Sequence, residues 1–181
     1  MQDSKHDETG HIKNYANAEA IQKLKELAEG ARICMFTTFS SKQPMPSRPM
    51  ALQQVDENGA LYFFSAQSSD KNAEILMDEH VQLFFANNGD SEYLSVFGKA
   101  TISKDHEKIK ELWNVFVKTW FQEGPDDPDI TLIKVVPEIT NYWDTKHNKM
   151  IALIKIGTSI ITGKTMDDGV EGNLTMDTSV V

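Results

Sequence analysis

The sequence predicts a mainly-β fold of the α+β type, a small closed antiparallel barrel with helices inserted between its strands. Three observations carry this expectation. Six or seven short runs rich in β-branched and aromatic residues follow one another, joined by tight-turn signals in meander order rather than by the long crossovers of a parallel sheet. Helical spacing is pronounced in one long stretch only, between the fifth and sixth runs. The length of 181 residues suits one domain, since domains take about 100–200 residues.

Residues 1–14 carry no periodicity and read as a loose tail. From Ala18, apolar residues at Ile21, Leu24, Leu27 and Ala28 predict a short amphipathic helix that Gly30 stops. Arg32–Phe39 reads as the first strand. Met45–Gln54 is the second, and its prolines, Pro46 and Pro49, confine it to an edge or an irregular strand. Asp56–Gly59 signals a hairpin turn into Leu61–Ala66, the third strand. Ser69 or Asp70 can cap a short helix whose apolar positions are Ala73, Ile75, Leu76 and Met77. Val81–Ala86 is the fourth strand, turned back by Asn87–Asp90, and Tyr93–Ile102 is the fifth, with Gly98 marking a bulge.

Ile109, Leu112, Trp113, Phe116, Val117 and Trp120 then recur at helical spacing behind Asp105, which predicts one continuous helix ended by Gly124–Pro128. Core packing is the expected role of its aromatic residues. Ile130–Val136 is a sixth strand that continues beyond Pro137 to Trp143. Met150–Ile161 fits a strand by composition and a helix by its stripe, and helix is favoured. Residues 166–181, rich in Gly, Asp and Thr, read as a tail or a weak hairpin.

Charge narrows the function. Twenty-seven acidic against eighteen basic residues give a net charge of −9, which argues against a nucleic-acid grip or a polybasic membrane anchor. No apolar run reaches the roughly 18 residues that span a bilayer. The single cysteine, Cys34, excludes an internal disulfide and multi-cysteine metal sites; it is expected buried and unreactive, and a reducing cytoplasm is the simplest home. The histidines at 6, 11, 80, 106 and 147 show no paired ligand spacing, so no metal is expected. Asp127, Asp129 and Thr131 begin like a calcium loop, but Leu132 stands where that loop needs glycine, so a turn is the better reading. No phosphate-binding P-loop, dinucleotide fingerprint or hydrolase elbow is present.

Two segments point to an anion. Ser65–Lys71 ends a strand in hydroxyls and starts a helix, whose free N–H groups and Lys71 can cradle a phosphate. From this segment alone, an ordinary cap with a solvated lysine is the stronger reading. Arg48 lies on the preceding strand beside Pro49 and Met50, a cationic fork suited to a planar polar ligand. The Asp56–Gly59 turn places Arg48 and Ser65 near the same end of the sheet, which strengthens the pair. Trp143, at a strand end, either covers a ligand ring or plugs the barrel.

The succession Ile33–Phe39, Ser47–Leu52, Leu61–Ile75, Val81–Ala86 and Tyr93–Ile102 resembles the FMN-binding split barrels related to pyridoxamine 5′-phosphate oxidase. Residues 120–144, with the Thr162–Lys164 segment, are similar to its general stress protein 26 branch, and the likeness spans 15–165. It implies a six-stranded antiparallel split barrel, a homodimer, and one FMN at each subunit junction, FAD being an alternative. By position, Arg48, Pro49, Met50 and Ala51 would border the ring and ribityl chain, with Phe64 and Ser65 on the next strand. Ser69 and Lys71 would hold the phosphate, and Trp143 would approach the flavin near the dimer boundary. The sequence departs from the oxidase at Gln53 and Asp70, where the oxidase carries basic residues, and at Tyr93, where it carries glutamine. Asp70 should weaken the phosphate grip. The C-terminal arginine and histidine pattern that holds the oxidase's pyridoxal substrate has no match here, so vitamin B6 oxidation is disfavoured. A flavoprotein of the stress type is expected, with weak NAD(P)H-dependent reduction as its activity; no catalytic residue stands out. The alternatives are a flavin carrier or redox sensor, and a cofactor-free dimeric module.

Overall fold

The computed structural model describes residues 11–39, 43–145 and 169–176. Two short bridges, β1 (His11–Ile12) and β2 (Tyr15–Ala16), lead into α1 (Asn17–Ala31). Strands β3 (Ile33–Thr38), β4 (Ser47–Val55) and β5 (Leu61–Ala66) follow, then α2 (Asp70–Met77). After β6 (His80–Asn87) and β7 (Glu92–Ser103) come α3 (His106–Leu112), the long β8 (Ile130–Thr145) and β9 (Gly169–Thr175).

Six of these strands close into an antiparallel barrel in the order β8-β5-β4-β3-β6-β7, with β7 returning to β8. The period of two is plain in β7, where Leu94, Val96, Gly98 and Ala100 point inward and their neighbours outward. The expected bulge is there: the β7–β8 register slips between Phe97 and Gly98. A Cβ on Gly98 would lie 2.2 Å from the Val136 carbonyl oxygen, so only glycine lets the two backbones approach so closely.

Inside the barrel Phe36, Phe63, Leu83, Val96 and Ile133 are fully buried, and the Phe36 and Phe63 rings meet edge to face at 5.5 Å. α1 covers this core with Ala20, Leu24, Leu27 and Ala28, a stripe of spacing four, three and one. The helix runs through Gly30 rather than stopping there. It ends where Arg32 turns left-handed, at φ 64°, and returns its N–H to the Ala28 carbonyl. A second, smaller core forms outside the barrel, where Ile109, Val117 and Phe121 pack against Tyr62, Ile130 and Leu132.

Of the two readings of β4 the irregular strand holds: it pairs with both β3 and β5, and its register with β5 shifts between Leu52 and Gln54. The structure departs from expectation in three further places. In α2 the inward residues are Asn72 and Ile75, whereas Leu76 and Met77 are exposed. The long aromatic helix breaks after Leu112: Trp113 is extended, and the Asn114 side chain accepts N–H bonds from Phe116 and Val117 to begin a new 3-10 turn. Phe116 and Trp120 consequently stand 74% and 72% exposed instead of packing in a core.

The last departure concerns both presumed tails. β9 falls within the stretch expected as a tail or a weak hairpin; it pairs antiparallel with β8 and also carries β1 and β2 in parallel on its other side. Tyr142 seals this seam, its hydroxyl donating to the Lys13 carbonyl at 2.6 Å. The helix expected over Met150–Ile161 lies outside the described residues. No helix among the described residues is long and apolar enough to cross a membrane.

Candidate functional site

The site follows from an incomplete seam. β4 and β5 are paired from Val55 and Leu61 as far as Leu52 and Phe63. Beyond that point Ser47–Ala51 stays with β3 and Phe64–Ala66 with β8. Pro49, which has no N–H to give a ladder, falls in the half of β4 that has one partner instead of two. A pocket of about 410 Å³ is lined by the two diverging half-strands, within the usual range of about 300–1,000 Å³ for small-molecule sites.

Arg48, Pro49, Met50 and Ala51 form one wall, Phe64, Ser65 and Ala66 another, and Ser69 with Lys71 the end nearest α2. Eight of the nine residues expected at a binding site thus line one cavity. Trp143 does not. It lies on β8 opposite Tyr93 and Glu171, 44% exposed on the outside of the barrel. Five lining residues lie outside those nine: Gln53, Ala66, Val117, Trp120 and Phe121. The last three come from the segment read as continuous helix. Gln53 lies two residues past the expected run on β4, and its Oε1 accepts from Asn114 Nδ2 at 2.9 Å, which ties the aromatic segment to the barrel.

Lys71 is held rather than solvated. Its ammonium donates to Ser69 Oγ at 2.6 Å and to Ser65 Oγ at 3.0 Å. Burial and the nearby Arg48 charge lower its pKa, and among the described residues it has no ion pair. Two of its three N–H donors meet neutral hydroxyls, so its charge remains available to an anion. Ser65 is itself fixed: it donates to Asn72 Oδ1 at 2.8 Å, and Asn72 donates to Thr131 Oγ1 at 3.0 Å. Ser69 Oγ receives Lys71 and makes no side-chain cap on α2, so the first N–H groups of the helix stay free of that partner. Asp129 braces the approach, accepting from Ser68 N at 3.0 Å and Ser68 Oγ at 3.1 Å. The calcium-like aspartates therefore serve a turn.

Arg48 differs from expectation. Its guanidinium is not an open fork, because Nη2 donates to Glu74 Oε2 at 2.7 Å and Nη1 to Thr38 Oγ1 at 2.8 Å. Neither partner was foreseen; Glu74 sits three residues beyond Lys71 on α2, a spacing that places the two on one helical face. Cys34 is 1% exposed, and burial pushes its thiol up to about 12, so it is a core group.

Together these features describe a barrel that opens between two neighbouring strands onto a pocket with a cationic, hydroxylic end and an apolar wall. Residues 19–167 match the pyridoxamine 5′-phosphate oxidase-like family, and the chain belongs to it. It is similar to Protein bli-3 of Neurospora crassa, 28% identical over 156 residues that cover 81% of this chain and 75% of that protein. Among solved structures it resembles a general stress protein 26 from Jannaschia sp. CCS1, with a TM-score of 0.71, 24% identity, and coverage of 87% and 96% of the two chains. The general stress protein 26 of Bacillus anthracis str. Sterne is 26% identical, with a TM-score of 0.60 and coverage of 67% and 92%. A general stress FMN/FAD binding protein from Xanthomonas citri aligns with a TM-score of 0.63 at 21% identity, covering 72% of this chain and 92% of its own.

Proposed function

We propose that the chain is a flavin-binding protein of the general stress type, holding FMN with its phosphate at Lys71, Ser69 and the start of α2. One observation carries the reading: a hydroxyl-held lysine at a helix N-terminus stands, with Arg48 nearby, at one end of a pocket whose remaining walls are mostly apolar and aromatic. A ligand with a phosphate at one end and a flat, largely apolar ring at the other matches that arrangement. Pro49–Ala51 and Phe64 would flank the ring, and Trp120 and Phe121 would limit its exposure to water. A bound flavin supplies hydride and electron transfer; the chain orients it, and we assign no acid or base among its side chains.

The reading includes a homodimer. On the outer face of the barrel Met35 pairs with Phe84 and Tyr93 with Trp143, each 43–51% exposed, and Ile33 and Ile139 add to the strip. Pro49 and Ala51 lie opposite Met35 and Ile33, so the strip runs up to the pocket wall. A second copy of this chain would cover such a surface and close the cavity, which would bring Trp143 to the junction. Reduction by NADH or NADPH and a cytoplasmic site of action belong to the same proposal.

The decisive experiment is the absorption spectrum of the purified protein, with the mass of any small molecule released on denaturation. A flavin band and the mass of FMN support the reading, and the mass of FAD redirects it. Colourless protein that leaves added FMN fluorescence unquenched would favour a dimeric module without cofactor. Repeated reduction and reoxidation with NADH or NADPH separates a reductase from a carrier.

A further inference from the structure

The flavin reading just given rests on the cations of the pocket, but Arg48 is not an uncompensated one. Glu74 does not line the cavity; it lies behind Arg48 and accepts from Nη2 at 2.7 Å. Thr38, 0% exposed, completes a triangle by donating to the same carboxylate while accepting from Arg48 Nη1. The Arg48 and Glu74 side chains are only 23% and 21% exposed, so the pair is largely withdrawn from solvent and weakly screened. Burial opposes the Glu74 charge, but hydrogen bonds from Thr38 and Arg48, with the charges of Arg48 and Lys71, hold its carboxyl below the usual range. It is ionised at neutral pH.

A pocket built for the tightest grip on a phosphate dianion would leave both cations free. Here one of the two is already matched, and Asp70 at the start of α2 adds a further negative charge. A strut that merely aimed the guanidinium could be a neutral amide, since Thr38 and Arg48 need only acceptors. The carboxylate does more than aim: it subtracts a charge from the phosphate end and leaves the ring contacts untouched. We infer that Glu74 sets the ligand specificity of the pocket, holding down its preference for a phosphorylated flavin over the unphosphorylated one by neutralising Arg48.

The test titrates FMN and riboflavin into the full-length wild type, Glu74→Gln and Glu74→Asp, following flavin fluorescence at neutral pH in low and high salt. Glutamine keeps an acceptor for Thr38 and Arg48 but removes the charge; aspartate keeps the charge. Glu74→Gln should tighten FMN by about tenfold, the scale of one unmatched charge near a phosphate, with riboflavin unchanged and the gain shrinking in high salt. Glu74→Asp should keep the wild-type ratio. The wild type itself should favour FMN over riboflavin by no more than about tenfold. A Glu74→Gln ratio equal to that of wild type, or an equal loss for both flavins, overturns the inference. So does a wild-type preference of a hundredfold or more, whatever the variants do. Binding without the charge response would sink this inference alone, whereas failure of the wild type to bind either flavin would remove the flavin reading with it.

Discussion

The ammonium of Lys23 lies 2.5 Å from a carboxylate oxygen of Asp144, joining the middle of α1 to the far end of β8. Lys23 is 9% exposed and the Asp144 side chain 21%, so the pair is partly withdrawn from solvent. Removing the cation while leaving the carboxylate should be costly, because a half-buried charge then lacks its partner. Lys23→Met should lower unfolding free energy by about 2 kcal/mol in urea titration, and adding Asp144→Leu should recover part of the loss. Burial works against the Lys23 charge, but Asp144 and Glu26 outweigh it and raise its pKa above 10.5. The stabilisation is then complete below pH 10.5 and declines as pH climbs through the raised value, an alkaline loss that Lys23→Met should lack.

At the bulge, Gly98→Ala would put a methyl group 2.2 Å from the Val136 carbonyl oxygen and 3.0 Å from Pro137 Cα. Both are backbone atoms in a paired strand and cannot step aside cheaply. A loss of roughly 2–4 kcal/mol is expected, read as a lower urea midpoint; a loss under about 1 kcal/mol would show that the seam yields.

Ligand discrimination offers a third check. Lys71→Ala removes the cation that meets hydroxyls alone, so FMN affinity should fall about tenfold while riboflavin binding changes little. Equal losses would show the phosphate placed elsewhere. Arg48→Ala should weaken both flavins, since it strips part of the wall and leaves Glu74 without its partner.

Trp120 supplies an optical test. It is 72% exposed yet lines the pocket, so its removal should cost almost no stability. Flavin binding should quench tryptophan emission, and Trp120→Phe should abolish a substantial part of that quench with an unchanged melting temperature. An unchanged quench would place the ring away from this wall.

Much of this architecture was legible because its signals are local. The β7 alternation, the Gly98 bulge and the Asp56–Gly59 turn each act within a few residues. The pocket was legible for a related reason: its lining from Arg48 to Ala51 and from Phe64 to Lys71 occupies two short segments joined by one hairpin. What periodicity could not show is competition. Phe116 and Trp120 keep helical spacing with Ile109, yet the Asn114 side chain captures the N–H groups of Phe116 and Val117, and the helix gives way. The Arg48–Glu74 pair bridges a strand and a helix 26 residues apart, a distance at which spacing rules are silent. The stretch holding β9 was read as a tail or a weak hairpin because it is rich in Gly, Asp and Thr; backbone pairing on both sides and the burial of Leu174 make it a full strand.

The lacing of residues 15–16 to residues 174–175 has a consequence for the order of assembly. Nearly the entire chain must be looped back before those hydrogen bonds form, and contacts of such sequence separation are slow to find one another. The barrel strands can zip up through neighbouring hairpins while the first helix still rests on an unfinished bed. In a refolding experiment with pulsed deuterium labelling, amides of β6 and β7 should therefore become protected first, and those at the beginning of α1 last.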